Sequence, residues 1–297
     1  MMRTAVANKS GTAQTPRAQR QTWRIPWFFV YALRSGRLCG SICLVFFAIL
    51  SGCATQTISP RQPNTVIVVP GIGGDGQVYA QIVHSLHDHG STDCLRVWDW
   101  GSSYPVFVIS ISSRIWHYIS ENHLANQIIQ WRTDHPHSRI VLIAHSAGAG
   151  VVMGALARLP HSIQVGPIIL LAPSLSPDFD LRPALKHASV IHVFYSPEDD
   201  FWQGFGPIVF GTYDHAHRSG AGRKGFTLLG LSPADKARVI QHPYEKDWSA
   251  LGVRGGHFDW MAEPFVAAVL KPLIDAPPTK TNSIAAGTGR SCAASPR

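Results

Sequence analysis

The chain has 297 residues, 45% of them hydrophobic and only 15% charged, which permits a sizeable buried core in one large domain or two small ones. Its formal net charge of +8 does not indicate nucleic-acid binding. Seven of the 26 Lys and Arg residues lie within residues 1–53, and all 18 acidic residues follow that segment. The rest of the chain is therefore nearly neutral and lacks the basic patch that a nucleic-acid partner requires.

Residues 1–53 have the pattern of an export signal. Basic residues precede a mostly apolar run at 38–50, which is too short to cross a bilayer about 30 Å thick as a helix. The run ends in Leu50-Ser51-Gly52-Cys53, which resembles the lipobox of bacterial lipoproteins at all four positions. The resemblance implies an acylated Cys53 and an exported protein that is lipid-anchored in the cell envelope, at the periplasmic face or the outer membrane. An uncleaved anchor that also uses residues 27–33 is the alternative.

Strand and helix signals alternate between residues 64 and 275, which we predict to form one domain. The alternation predicts an α/β fold with a mostly parallel sheet of about six strands and helices on both faces. Residues 54–63 are expected to be a linker, and residues 276–297 a disordered tail. Strands are predicted at 64–71, 94–100, 139–145, 165–173, 189–196 and, more weakly, 249–255; helices are predicted at 76–90, 121–134, 147–159 and 259–274.

A lone serine, Ser146, lies between the most continuous of these strands and a run of very small residues. Ala144-His145-Ser146-Ala147-Gly148 matches the pattern Gly-x-Ser-x-Gly, with alanine in place of the first glycine. Small residues two positions before and after the serine let neighbouring chain segments approach a sharp, strained turn. Such a turn points the serine hydroxyl out of the sheet, above the N-terminus of the next helix. The pattern alone is weak, but its position between a strand and a helix strengthens it.

Two later predicted strands end in residues that would activate a serine. Glu198, Asp199 and Asp200 follow the strand at 189–196, and His257 follows the one at 249–255. A serine hydroxyl needs a base, and the base needs a carboxylate to orient it. The order of serine, acid and histidine along residues 64–274 resembles that of the α/β-hydrolases. The resemblance implies Ser146 as nucleophile, His257 as base and Asp199 as acid.

The same resemblance extends to the residues after the first core strand. "VVPGIGGDG" at 68–76 resembles the oxyanion loop of the fold, which implies that the backbone N–H groups of Ile72 and Ala147 stabilise the oxyanion. Pro70 stands where many lipases have a histidine. Because few residues separate Cys53 from the first core strand, we expect the two leading antiparallel strands of the full fold to be missing.

Several alternatives remain open at this stage. Asp200 or Asp178 could replace Asp199 as the triad acid. His145 is expected to face neighbouring structure and not to be the base. The long interval before His257 predicts an inserted cap at about 201–248, whose aromatic residues line either a substrate pocket or the core of the cap itself. The chemistry requires no cofactor or metal ion, and the histidines at 84, 87 and 89 are expected on a solvated helix face.

These features predict a serine hydrolase of the esterase or lipase type. It would cleave carboxylic esters of a small molecule or lipid through an acyl-enzyme intermediate, with its lipid anchor holding it at the membrane. Two alternatives are an acyltransferase on the same fold and a non-catalytic, lipid-anchored binding protein.

Overall fold

The computed structural model describes residues 55–58, 64–72, 74, 76–100 and 112–277. The predicted export signal, with Cys53, lies outside these residues, as do positions 278–297 of the predicted tail. No helix in the described part of the chain is both long and apolar enough to cross a membrane.

The described residues form a seven-stranded sheet with the order β1-β3-β2-β4-β5-β6-β7. Strands β2 to β7 all run parallel, which confirms the predicted α/β fold with its mostly parallel sheet. Their continuous β-branched runs are typical of strands buried on both faces. The strands are β1 (Thr55–Ile58), β2 (Thr65–Val69), β3 (Cys94–Trp98), β4 (Ile140–His145), β5 (Ile168–Leu171), β6 (Ile191–Tyr195) and β7 (Val239–Pro243).

Strand β1 lies in the segment that we predicted to be a linker. It pairs antiparallel with β3, from Thr55 opposite Trp98 to Ile58 opposite Leu95. We predicted that both leading antiparallel strands are missing, and this was wrong for one of them, since β1 is present. The sequence of β1, TQTI, has no apolar run that would mark it, because an edge strand needs less hydrophobic surface than a central one.

The last strand, β7, does not lie at 249–255 as predicted. Residues Lys246–Leu251 form a 3₁₀-helix instead, and the strand precedes them at Val239–Pro243. Only Val239 of β7 is fully buried, because β7 is the other edge of the sheet, so its sequence VIQHP lacks a clear apolar pattern. The insertion between β6 and β7 is thus shorter than the predicted cap at 201–248, which includes this strand.

Helices cover both faces of the sheet. On one face, α2 and α3 pack against side chains such as Ile67 and Leu142; on the other, α1 and the C-terminal helices pack against Val66 and Val141. Alternate residues of each strand therefore enter different cores. The α-helices are α1 (Gly76–Asp88), α2 (Arg114–Asp134), α3 (Gly148–Leu156), α4 (Arg182–Leu185), α5 (Gly206–Phe210), α6 (Ala221–Lys224), α7 (Pro233–Lys236), α8 (Glu263–Phe265) and α9 (Lys271–Asp275); π-helices span Phe201–Phe205 and Val266–Leu270, and a second 3₁₀-helix spans Asp259–Met261.

Candidate active site

Ser146 occupies a strained turn between β4 and α3. Its φ angle is +52°, in the left-handed region that residues other than glycine rarely adopt. Backbone hydrogen bonds hold this conformation: the Ser146 N–H donates to the Leu171 carbonyl oxygen at 3.0 Å, and the Ser146 carbonyl oxygen accepts from the Ser174 N–H at 3.0 Å. The neighbouring strand and loop therefore fix a geometry that the serine would not adopt alone.

Two glycines bring the loop after β2 close to this turn. A Cβ atom on Gly148 would lie 2.5 Å from the Val69 carbonyl oxygen and closer still to that of Pro70. A Cβ atom on Gly71 would lie 2.9 Å from the Cβ atom of Ser146. Neither position has room for a side chain, so the loop that begins at Pro70 packs directly on the serine.

Asp199 and His257 form a buried pair. The His257 Nδ1 atom lies 2.6 Å from Asp199 Oδ2, and both side chains are almost fully shielded from solvent. The other carboxylate oxygen, Oδ1, accepts a hydrogen bond from the backbone N–H of Gln203 at 3.3 Å. With Nδ1 donating to the carboxylate, the Nε2 atom of a neutral His257 ring is left as a proton acceptor.

The two alternative acids lie elsewhere. Asp200 is paired with Arg223 at 2.5 Å, and its side chain is 77% exposed. Asp178 forms an exposed ion pair with Arg218. Neither carboxylate contacts His257 among the described interactions, and Asp199 is the one of the three that the structure places against it.

His257 lies beside the end of β4, the strand that immediately precedes Ser146. Its carbonyl oxygen is 2.9 Å from Nε2 of His145, and the centroids of the two histidine rings are 4.5 Å apart. Since His145 immediately precedes Ser146, the serine and His257 lie at the same edge of the sheet. Both residues are largely buried, so water has limited access to them.

The two predicted oxyanion donors belong to the two chain segments that pack together at Gly148. Ile72 is in the loop after β2, and Ala147 is the N-cap residue of α3. Within the described part of the chain, neither backbone N–H donates a hydrogen bond to another residue.

Sequence reasoning missed the role of the π-helix Phe201–Phe205. Its Gln203 contacts Asp199, and its Trp202 ring stacks on the His257 ring, with centroids 5.7 Å apart and planes inclined by 22°. The Gln203 side chain is buried and donates to the Ala172 carbonyl oxygen at 3.0 Å. The positions of Trp202 and Gln203, three and four residues after Asp199, are the signal that could have indicated a helical turn over the acid.

The aromatic residues of the insertion are mostly exposed. One of them, Tyr213, is buried and donates a hydrogen bond to Glu121 at 2.9 Å. Phe226 is buried as well, in the core against the sheet, whereas Phe201, Trp202, Phe205 and Phe210 are exposed and so do not form the core of a cap. We call the exposed apolar residues of segment 201–210 together with Phe258, of which Trp202 and Phe258 contact the His257 ring, the apolar rim; it comprises Phe201, Trp202, Phe205, Ile208, Val209, Phe210 and Phe258.

The predicted site contains no arrangement typical of a metal centre. Among the residues that the structure describes, no three His, Cys, Asp or Glu side chains are grouped so that they could hold a metal ion. His84 and His87 lie on the exposed face of α1, and the exposed His89 directly follows the helix.

Comparison with known proteins identifies a family and several similar folds. The model of a family described as alpha/beta hydrolase of unknown function (DUF900) matches residues 77–252. No curated protein matches the chain. A dienelactone hydrolase from Anabaena variabilis is 14% identical, with a TM-score of 0.46, over 74% of this chain and 89% of its own. A lipase-esterase related protein from Clostridium acetobutylicum is 13% identical, with a TM-score of 0.45, over 74% of this chain and 99% of its own. A putative aryl esterase from Burkholderia cenocepacia is 12% identical, with a TM-score of 0.45, over 74% of this chain and 93% of its own.

Proposed function

We propose that this chain, which belongs to the DUF900 family of alpha/beta hydrolases, is a serine hydrolase that cleaves carboxylic esters with Ser146, His257 and Asp199 as its catalytic triad. The observation that carries the proposal is the buried contact of 2.6 Å between Asp199 and His257, at the sheet edge where Ser146 has its left-handed backbone.

In the proposed reaction, His257 removes the proton from Ser146 as the serine oxygen attacks the ester carbonyl carbon. The Asp199 carboxylate holds the His257 ring so that Nε2 faces the serine, and it stabilises the imidazolium that forms. The N–H groups of Ile72 and Ala147 donate to the oxyanion of the tetrahedral intermediate. Collapse of this intermediate releases the alcohol, which takes its proton from His257, and leaves an acyl group on Ser146.

Water then completes the reaction. His257 takes a proton from the water as the water oxygen attacks the acyl-serine carbonyl carbon, and the second tetrahedral intermediate uses the same two N–H donors. Its collapse breaks the bond to the Ser146 oxygen, which regains a proton from His257. The products are the carboxylic acid and the free enzyme, so every proton is returned without a cofactor.

The apolar side chains next to His257 favour an ester substrate that has an apolar acyl or aromatic group. The apolar rim begins at Trp202, which lies on the His257 ring and remains 52% exposed. The segment 201–210 carries no charged residue. An apolar substrate group beside the reacting carbonyl would be removed from water by these side chains, which favours binding.

Hydrolysis of nitrophenyl esters with acyl chains of two to twelve carbons tests the proposal. We expect release of nitrophenol and free acid by the wild-type protein, and none above background by Ser146→Ala. Folded wild-type protein that hydrolyses no ester of the series would contradict the assignment as an esterase. Identical thermal unfolding curves for the wild type and Ser146→Ala would show that the variant loses activity because it lacks the hydroxyl and not because it is unfolded.

Anchoring in the cell envelope is a separate part of the proposal and rests on sequence alone. The pattern Leu50-Ser51-Gly52-Cys53 after an apolar run supports it. Metabolic labelling with a fatty-acid probe is expected to mark the full chain expressed in a bacterial host and to leave Cys53→Ser unmarked. Equal labelling of both proteins, or of neither, would refute lipidation at Cys53.

A further inference from the structure

A chain of buried hydrogen bonds connects the loop after β2 with the segment that carries His257. The Gly71 N–H donates to Tyr79 Oη at 2.9 Å, and Tyr79 Oη lies 2.8 Å from His145 Nδ1. The other nitrogen of the same ring, His145 Nε2, lies 2.9 Å from the His257 carbonyl oxygen. We call this connection the His145 bridge; it runs from Gly71 through Tyr79 and His145 to the backbone of His257.

The direction of each hydrogen bond in the bridge follows from its two ends and from the charge of the His145 ring. A carbonyl oxygen can only accept, so His145 Nε2 must carry a proton. Burial and the nearby His257 lower the pKa of His145 well below its ordinary value, so the ring is neutral and Nδ1 is an acceptor. The Tyr79 hydroxyl therefore donates to Nδ1 and accepts from the Gly71 N–H. With this assignment of protons, all three contacts are satisfied.

The bridge joins two groups that the proposed reaction requires in fixed relative positions. Gly71 immediately precedes Ile72, so the hydrogen bond from its N–H to Tyr79 restrains the loop one residue before the proposed oxyanion donor. A Cβ atom on Gly71 would lie 3.1 Å from both His145 Nδ1 and Tyr79 Oη, so this backbone packs directly against the bridge. At the other end, the bridge holds the backbone of the residue whose ring accepts the serine proton.

On the basis of this geometry, and resting on the proposed function, we infer that Tyr79 and His145 are positioning residues that set the oxyanion loop against His257. His145 neither donates to nor accepts from the substrate, because both of its ring nitrogens are occupied within the protein. The bridge acts through the backbone, on Ile72 at one end and on His257 at the other. A small displacement of either group would weaken transition-state stabilisation without changing how the ester binds.

Tyr79→Phe tests the oxyanion end of the bridge. The substitution keeps the ring but removes the acceptor for the Gly71 N–H and the donor to His145. We expect kcat for a nitrophenyl ester to fall about 10- to 100-fold with KM nearly unchanged. The affinity for a trifluoromethyl ketone, whose adduct with serine carries an oxyanion, should fall by the same factor because it mimics the tetrahedral intermediate.

The matched control is Tyr213→Phe, which removes another buried tyrosine hydroxyl, the one bonded to Glu121. It should lower the melting temperature but leave kcat and ketone affinity within about twofold of wild type. If Tyr79→Phe behaved like this control, the bridge would be merely structural and the inference would be overturned. If wild-type protein showed no ester hydrolysis and no reaction with the ketone, the proposed function itself would fail.

Nitrogen NMR of histidine-labelled protein provides a readout that does not depend on folding of the variants. The inference requires His145 to be a neutral ring with its proton on Nε2 from pH 6 to pH 9. A His145 signal that titrates in this interval, or one with the proton on Nδ1, would contradict the bridge. His145→Asn should retain an acceptor for Tyr79 and lose the bond to His257, so we expect it to reduce kcat as well.

Discussion

Asp199 and Asp200 are adjacent in sequence but differ in surroundings. The Asp199 carboxylate is buried and contacts His257, whereas the Asp200 carboxylate points into solvent and pairs with Arg223. A one-residue step along the chain thus separates an acid that can orient a histidine from a surface charge. The sequence register favoured Asp199, but the burial that distinguishes the two acids depends on the π-helix that follows.

Asp199→Asn and Asp200→Asn form a matched pair of substitutions. We expect kcat/KM for a nitrophenyl ester to fall about 10⁴-fold in Asp199→Asn, because the amide cannot hold the histidine in the required tautomer. Asp200→Asn should stay within about twofold of wild type, since an exposed ion pair contributes little. Loss of activity in Asp200→Asn with retention in Asp199→Asn would reverse the assignment of the acid.

Gly148 allows the loop after β2 to touch the nucleophile turn. In Gly148→Ala, the added Cβ atom would overlap the carbonyl oxygens of Val69 and Pro70. We expect the free energy of unfolding to fall by about 3 kcal/mol, because backbone atoms cannot move aside cheaply. Gly204→Ala is the control, since its Cβ atom would meet nothing closer than 3.6 Å. Urea denaturation measures both, and equal stabilities would show that the contact is not close.

At the level of secondary structure, the π-helix Phe201–Phe205 supports both members of the acid–base pair. Its backbone donates to Asp199 through Gln203, and its Trp202 ring covers His257. π-helical turns are uncommon and are often found at functional sites. Their side-chain period differs from the 3.6-residue period used to recognise α-helices, so the sequence predicted an insertion here but not its conformation.

Trp202→Ala tests whether the apolar rim contacts the substrate. We expect kcat/KM for a dodecanoate ester to fall about tenfold, the effect of losing roughly 1.5 kcal/mol of apolar contact. The kcat/KM for an acetate ester should fall much less, because its acyl group is too short to extend along the Trp202 ring. Leu229→Ala is the control, since Leu229 is an exposed apolar residue of the same insertion that lies outside the apolar rim. Equal losses for both esters in Trp202→Ala would contradict a role in acyl-chain recognition.

The accuracy of the predicted elements follows the burial of each strand. The five strands β2 to β6 were predicted within a few residues because most of their residues are apolar and buried. The two edge strands were not predicted. Strand β1 is short and has a mostly polar sequence, and only one residue of β7 is fully buried, so neither has an apolar run that marks a strand. The apolar residues of the predicted strand at 249–255 do not join the sheet. Leu251 and Val253 pack in the same core as Phe265 of α8 and the π-helix Val266–Leu270.

At the scale of the whole molecule, the parallel sheet brings distant residues to one edge. Ser146 follows β4, Asp199 follows β6, and His257 lies in the segment after β7. The carboxyl ends of parallel strands lie on the same side, which makes the position of these residues predictable from strand order alone. The His145 bridge was not predictable in this way, because its contacts span 66 and 112 residues and depend on the precise packing of α1.

The histidines buried at the sheet predict how stability changes with pH. Burial and the neighbouring His242 lower the pKa of His192 to about 4, from an ordinary value of 6.5. The folded state thus binds fewer protons than the unfolded state in this interval, so stability is present above pH 6.5 and is lost as pH falls through 4. We expect the melting temperature to decrease from pH 7 to pH 4, and to decrease less in His192→Gln. The control is His84→Gln, which replaces an exposed histidine and should show the same fall in melting temperature as the wild type. If His84→Gln reduced this fall as much as His192→Gln does, burial of His192 would not be the cause.

The central claim is that Ser146 is a nucleophile activated by its surroundings, and a fluorophosphonate probe tests it most directly. Such a probe reacts with an activated serine and leaves other serines unmodified. After incubation and proteolysis, mass spectrometry should place the adduct on the peptide that contains Ser146, with labelling absent from Ser146→Ala and strongly reduced in His257→Gln. Folded wild-type protein that acquires no adduct, or acquires it on another residue, would contradict the account.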